Sequence, residues 1–301
     1  MHNASNSEYP ALKVALFLIA GLLTFGFAPI IVRFATDIEP LALAALRTSF
    51  AVFILLPFWF QRRTPIKSLK KHGLHAGLIV GAGFALGLHF TFWIASLHYT
   101  SVASASVLVT IHPVMLIVAE SLIFRAKFRP LVWIGVFVAF GGSVMLGIAD
   151  DVNMDLFPDA LFGNALAFTA AVIFVIYFLL GRRIRQHAEW IDYVFHVYLH
   201  AAIICSVMTI IWVGGWPYIS FTGVLAGIAL AVGPTIIGHG SMNYAVKYVS
   251  PTLLSTLVLS EAVIAAVAAY FIFNEMPSIL SITAMVIIIA GVIMTWTRRF
   301  R

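Results

Sequence analysis

The chain is a succession of apolar runs, each about 20 to 26 residues long, separated by short breaks that carry proline, glycine or clustered charge. The runs begin near Leu12, Leu41, Gly73, Ser101, Pro130, Ala160, Trp190, Ile219, Pro251 and Met276. A helix rising about 1.5 Å per residue needs roughly 20 such residues to cross a hydrocarbon core of about 30 Å. Strands of a membrane barrel are about half as long and alternate in polarity, which these runs do not. The pattern predicts an all-α polytopic membrane protein with ten transmembrane helices. Composition agrees: 62% of the 301 residues are hydrophobic and 10% are charged, and no soluble fold of that size can bury so much apolar surface. The first run, Leu12 to about Phe34, exceeds the apolar core of a secretion signal and reads as a retained helix.

Lysine and arginine set the expected orientation. Arg62, Arg63, Lys67, Lys70 and Lys71 fall in the second break, and Arg125, Lys127 and Arg129 in the fourth. Arg182, Arg183 and Arg185 fall in the sixth, Lys247 in the eighth, and Arg298, Arg299 and Arg301 follow the tenth run. The acidic residues Asp37, Glu39, Asp150, Asp151, Asp155, Asp159 and Glu275 occupy odd-numbered breaks. The positive-inside rule then places both termini in the cytoplasm of a chain in the inner (plasma) membrane. Because the net charge of +6 resides in these loops, it marks orientation and not a nucleic-acid partner. The lone Cys205 lies inside an apolar run, which excludes an intrachain disulfide.

Shifted by 149 residues, the chain aligns with itself without a gap, residues 95–145 on 244–294. Tyr99-Thr100-Ser101 falls on Tyr248-Val249-Ser250, Ser106 on Ser255, Ile123-Phe124 on Ile272-Phe273, Gly142 on Gly291 and Met145 on Met294. An odd number of spans per half means that the second half enters from the opposite side. The organisation read from this is a first five-helix repeat over 1–149, an acidic external linker over 150–159 and a second, inverted five-helix repeat over 160–301. Inverted repeats place a ligand where the halves meet near the midplane and allow alternating access.

Ionisable and polar groups at membrane depth are the candidate site. Glu261 lies about eleven residues, or roughly 16 Å, into the ninth span. His112 is its counterpart at the 149-residue offset. The two are expected to meet across the seam, as a proton-coupling or ammonium-binding site or as a structural hydrogen-bonded pair. Gly77, Gly81, Ala85, His89 and Trp93 recur every four residues in the third span. The small residues predict close helix approach, with His89 and Trp93 facing the substrate path or serving as packing groups. Thr235, His239, Asn243 and Lys247 form a like stripe in the eighth span, read as cavity lining or as polar glue between helices. Arg47, about 10 Å inside the second span, is expected to snorkel outward to Asp37 or Glu39, with carboxylate binding as its other role. Glu120 is expected to pair with a loop Arg or Lys. Pro29, Pro113 and Pro234 predict kinks or hinges. His196 and His200 lack a converging carboxylate or cysteine, so neither a metal nor any cofactor is expected.

The stretch Ala95-Ser96-Leu97-His98-Tyr99-Thr100-Ser101-Val102-Ala103-Ser104-Ala105, followed by His112-Pro113, resembles the third-to-fourth helix signature of the EamA family in the drug/metabolite transporter superfamily. Tyr248-Val249-Ser250-Pro251, Glu261-Ala262-Val263 and Asn274-Glu275 resemble its second-half partner, and Arg47 matches an arginine common in the second helix of that family. Ala262 replaces the usual proline, and Phe124-Arg125-Ala126 lacks the usual Gly-Glu. The resemblance implies a ten-helix secondary carrier, commonly an exporter of amino acids, other metabolites or drugs, with the YddG-like aromatic amino-acid exporters as one subgroup. It implies a small-molecule substrate. The few embedded charges leave a uniporter or exchanger as open as an antiporter with protons as the coupling ion, and a monomer or homodimer is the expected assembly. No HExxH, GxSxG or nucleotide-binding P-loop is present, so an enzyme or ATP-driven pump is not expected. A drug exporter of the same fold, or a membrane scaffold or sensor, is the alternative.

Overall fold

The structure is a computed structural model that describes residues 10–62, 76–96, 99–100, 102–149, 158–274 and 276–296. All regular structure among these residues is helical. The first half comprises α1 (Ala11–Phe34), α2 (Pro40–Arg62), α3 (Ala76–Ser96), α4 (Val102–Val109), α5 (His112–Ile123) and α6 (Pro130–Ala149). The second comprises α7 (Ala160–Arg185), α8 (Trp190–Val213), α9 (Phe221–Leu230), α10 (Ala231–His239), α11 (Gly240–Ala245), α12 (Pro251–Val258), α13 (Glu261–Phe273) and α14 (Ile279–Trp296). Segments α9–α11 form one continuous rod, whose middle part α10 is a π-helix.

Among the described residues nine helices are long and apolar enough to cross a membrane, not ten. The expected fourth span is represented by a shorter apolar helix, Val107–Ile123, and its first residue, Ser101, lies outside the described residues. The outer surface is apolar, with Leu12, Phe53, Leu122, Leu161, Phe271 and Ile279 all well exposed, as lipid requires. Half of the orienting charges, Arg63, Lys67, Lys70, Lys71, Arg298, Arg299, Arg301, Asp150, Asp151, Asp155 and Glu275, lie outside the described residues, as do Leu97 and His98.

The two halves repeat each other down to individual backbone hydrogen bonds. Segments α4 and α5 are interrupted at Thr110–Ile111, and α12 and α13 at Leu259–Ser260, 149 residues on. At the first break Ile111 N donates to Leu108 O, and Val114 N to Ile111 O. At the second, Ser260 N donates to Leu257 O, and Val263 N to Ser260 O. Both are single tightened turns with three-residue bonds, and each leaves its ionisable residue, His112 or Glu261, as the first of a new helix. Pro113 follows the first break; the second forms without a proline.

The two non-glycine residues of positive φ among the described residues, Arg125 (50°) and Asn274 (56°), also stand 149 apart. Each turns the chain out of its broken span. Asparagine tolerates the left-handed region, whereas arginine there bears a steric cost of roughly 1–2 kcal/mol. Arg125→Gly is therefore expected to stabilise the protein by about 1 kcal/mol, offset in part by glycine's greater freedom when unfolded. A thermal-melt comparison in detergent checks this; an unchanged or lower midpoint refutes it.

Packing maps onto itself when the halves are exchanged. Helix α3 lies on α7, as α1 lies on the α10–α11 stretch; α2 crosses α8, and α6 runs along α14. The last pair is drawn together by glycines: a Cβ built on Gly142 would stand 2.8 Å from Ile288 N, and one on Gly291 would collide with the backbone of Ala139. The expected Gly77–Gly81 stripe does not make the close approach of α3. A Cβ at Gly77 meets nothing within 4 Å, and one at Gly81 meets only Leu180, at 3.9 Å. Gly83 and Gly87, on another face, do so instead, against Val197, His200 and Ala201 of α8. Periodicity located the small residues, but which face met a neighbour depended on α8.

Candidate functional site

The π-helical stretch α10 is where the second half opens its backbone to the interior. Pro234 cannot donate to Leu230 four residues earlier, and the Thr235 hydroxyl donates to that carbonyl (2.9 Å). The same hydroxyl accepts from Arg47 Nε of the first half at 3.1 Å. Tyr198 Oη donates to Thr235 O at 2.9 Å. Arg47 is 7% exposed, and its guanidinium lies 4.4 Å over the Phe90 ring. The expectation that Arg47 snorkels to Asp37 or Glu39 is thereby corrected: a cation–π face and a hydroxyl from 188 residues away hold it inside. Its terminal amino groups have no acceptor among the described residues.

Around this cation gather several of the residues singled out by depth and spacing. His239, one turn beyond Thr235, is packed edge-on between Phe25 (5.0 Å) and Phe90 (5.3 Å). His89 Nδ1 donates to Ala170 O (3.0 Å) of α7, and the His89 ring lies 5.0 Å from Phe174. His112 covers the same Phe174 at 4.6 Å. Both histidines on the first-half side are thus aligned by one aromatic ring of the second half. Glu261, half-buried, is within electrostatic range of Arg47. No hydrogen bond or ion pair joins His112 to Glu261: the former sides with Phe174, the latter with Arg47. Asn243 is fully buried, and its Oδ1 accepts from Tyr177 Oη at 2.8 Å. Lys247 lies over Tyr248 at 5.9 Å, beyond the buried part of the stripe.

Three buried polar atoms of this set have no hydrogen-bonding partner among the described residues: Trp93 Nε1, His112 Nδ1 and Asn243 Nδ2. Buried polar groups are nearly always bonded, so these open atoms are groups that a ligand or water can satisfy. Contacts through Phe174 and Tyr177 join His112 and Asn243 to one set of side chains. Arg47 and Thr235 come from α2 and α10, His89 and Trp93 from α3, His112 from α5 and Glu261 from α13. The cluster therefore spans the seam between halves. Sequence reasoning missed Phe90, Phe174, Tyr177 and Tyr198, because an aromatic residue in an apolar run carries no signal of its role. His196 and His200 each direct Nδ1 to the backbone carbonyl one turn earlier, at 2.8 and 2.6 Å. Glu120 takes its hydrogen bonds from Thr252, with Arg182 of the sixth break within electrostatic range and not hydrogen-bonded to it.

The chain is 24% identical over 294 residues to an uncharacterized transporter of Archaeoglobus fulgidus, a match covering 95% of this chain and 98% of that one. Its fold matches a crystal structure of another protein with a TM-score of 0.79, over 96% of this chain and 99% of that one, at 17% identity. The family description "EamA-like transporter family" matches twice, over residues 12–148 and 161–297. Starts and ends of the two matches both differ by 149 residues, the offset at which helix breaks and left-handed turns recur. The chain is thus a multi-pass membrane transporter built from a repeated unit. It belongs to the EamA-like transporter family.

Proposed function

We propose that the chain is a secondary carrier that exports or exchanges small carboxylate-bearing metabolites, aromatic or neutral amino acids foremost. In this reading ten spans form two inverted five-helix halves, 1–149 and 160–301, joined by the acidic segment 150–159. Both termini face the cytoplasm, in the inner membrane. The observation that carries it is Arg47: a guanidinium inside the bundle, fixed through Nε to Thr235 of the other half, with its terminal amino groups open. A carboxylate is the anion whose two oxygens fit that fork. Glu261, near but not bonded to Arg47, is placed to receive the ammonium end. Phe90, Phe174 and Tyr177 supply the walls for a flat or apolar side chain, which favours the YddG-like branch. His89, Trp93, His112, His239 and Asn243 line the substrate path, with the open nitrogens of Trp93, His112 and Asn243 as further contacts.

Flux of labelled amino acids into proteoliposomes, with and without a pH gradient, tests this directly. Saturable flux that is lost when the carboxylate of the tested solute is replaced by hydrogen supports the reading; equal flux of amino acid and parent amine overturns it. His89→Ala with Trp93→Ala is expected to lower flux about tenfold at unchanged expression, the effect of losing roughly 1.4 kcal/mol of binding. Glu261→Gln is expected to remove the dependence of flux on the pH gradient; a retained dependence excludes Glu261 as the coupling group.

A further inference from the structure

The two faces of the seam are not alike, although the repeat makes them equivalent in sequence position. On one face α5 packs on α12, and α12 is buried at Pro251, Thr252, Leu254, Ser255 and Thr256. On the other, α4 and α13 have no packing of that extent among the described residues. There Val107 to Ile111 and Glu261 to Ala266 are only half-buried. The bundle is closed on the α5–α12 face and looser on the α4–α13 face.

The closed face holds a polar connection between the halves that the other cannot form. Glu120 of α5 is 4% exposed, and its Oε2 accepts from both the backbone N (2.8 Å) and Oγ1 (2.6 Å) of Thr252. Thr252 is the second residue of α12, so its N–H is one of the amide donors that a helix start leaves without a partner. A carboxylate is favoured there by charge as well as by the bonds. The turn before α12 is held from the other side: Arg182 Nη1 of α7 donates to Val246 O (3.1 Å) and Val249 O (2.7 Å). Arg182 is also within electrostatic range of Glu120. At the 149-residue offset Glu120 corresponds to Ala269 and Thr252 to Ala103, neither of which has a polar side chain. Arg33, the counterpart of Arg182, lies 4.2 Å over the Phe273 ring.

We propose that Glu120, Thr252 and Arg182 form a one-sided lock that holds the carrier shut on the α5–α12 face and biases it toward the state seen here. The inference rests on the carrier reading but on no particular substrate. Inverted repeats with matched gates exchange between two nearly equivalent states. A connection present on one face alone tilts that balance by its own strength. Each opening of this face separates Glu120 from the α12 helix start, so the lock sets how often the face opens.

Full-length protein in nanodiscs, with Cys205→Ala and spin labels at Leu122→Cys and Lys247→Cys, reports the separation across this face. With Glu120 present one short distance is expected to dominate. Glu120→Ala is expected to raise a second, longer population about tenfold, in line with losing a charge-assisted pair of bonds. Glu120→Gln and the near-isosteric Thr252→Val, which keeps the backbone donor, should give smaller shifts in the same direction. If Glu120→Ala fails to accumulate, Thr252→Val decides the matter. Unchanged distances, with at most a lower melting temperature, mean a purely structural tie and overturn the lock. Flux through the parent protein tests the carrier reading separately, so either can fail while the other is measured.

Discussion

Arg47→Met is expected to abolish flux of carboxylate-bearing substrates, by on the order of 100-fold, while leaving the protein as stable as before or more so. The two halves of this result have one cause. A charge near the centre of a bilayer helix costs about 2.5–3.5 kcal/mol on insertion scales. The fixed return within the protein is one hydrogen bond to a neutral hydroxyl and one ring face, together worth about 1–3 kcal/mol. Among the described residues no carboxylate is ion-paired or hydrogen-bonded to Arg47, and Glu261 is near it without a bond, so removing Arg47 breaks no fixed ion pair. Thr235 keeps its own bond to Leu230 O, and methionine fills much of the space along Phe90. A residue that costs stability yet is held so firmly is explained by what it binds. Arg47→Lys keeps the charge but loses the planar fork and the stacked face, and about a tenfold loss is expected. Substrate-induced thermal shift and liposome flux provide the two readouts. A lowered melting temperature with intact flux per molecule reverses the assignment and makes Arg47 structural.

Hydropathy and the self-alignment contained most of the architecture, because a bilayer leaves few ways to satisfy a backbone. Span starts at Pro130, Ala160, Trp190 and Pro251 coincide with helix starts, where proline or a loop charge punctuates the chain. The helix breaks were less legible. Proline marks only the first, at Pro113, while Leu259–Ser260 breaks with no proline or glycine; repeat symmetry is the signal that would have found it. The direction of Arg47 was not legible, since it depends on Thr235, 188 residues away, and on a π-helical turn hinted at only by Gly233-Pro234. Nor was the partner of Glu120: a free amide at a helix start has no residue type to betray it. His112 and Glu261 were found by depth, yet their neighbours, Phe174 and Arg47, were set by how α7 and α2 pack.

The other large effect concerns the seam between α6 and α14, where neighbouring glycines are expected to respond with opposite sign. A Cβ at Gly142 would stand 2.8 Å from Ile288 N and 3.0 Å from Ala284 O, both backbone atoms of a rigid helix. One at Gly141 meets nothing within 4 Å and faces outward. Lipid tails are as apolar as leucine, so these helices associate through van der Waals fit and not through escape from water. A wedge of one methyl group is therefore opposed by little else. Gly142→Ala is expected to cost about 1–3 kcal/mol, and Gly291→Val, colliding with the Ala139 and Gly135 backbone, about 3 kcal/mol or more. Gly141→Ala should be neutral or stabilising by up to about 1 kcal/mol, through helix propensity alone. Melting of the purified variants separates these outcomes. Equal effects at Gly141 and Gly142 would falsify the close-packed seam between α6 and α14.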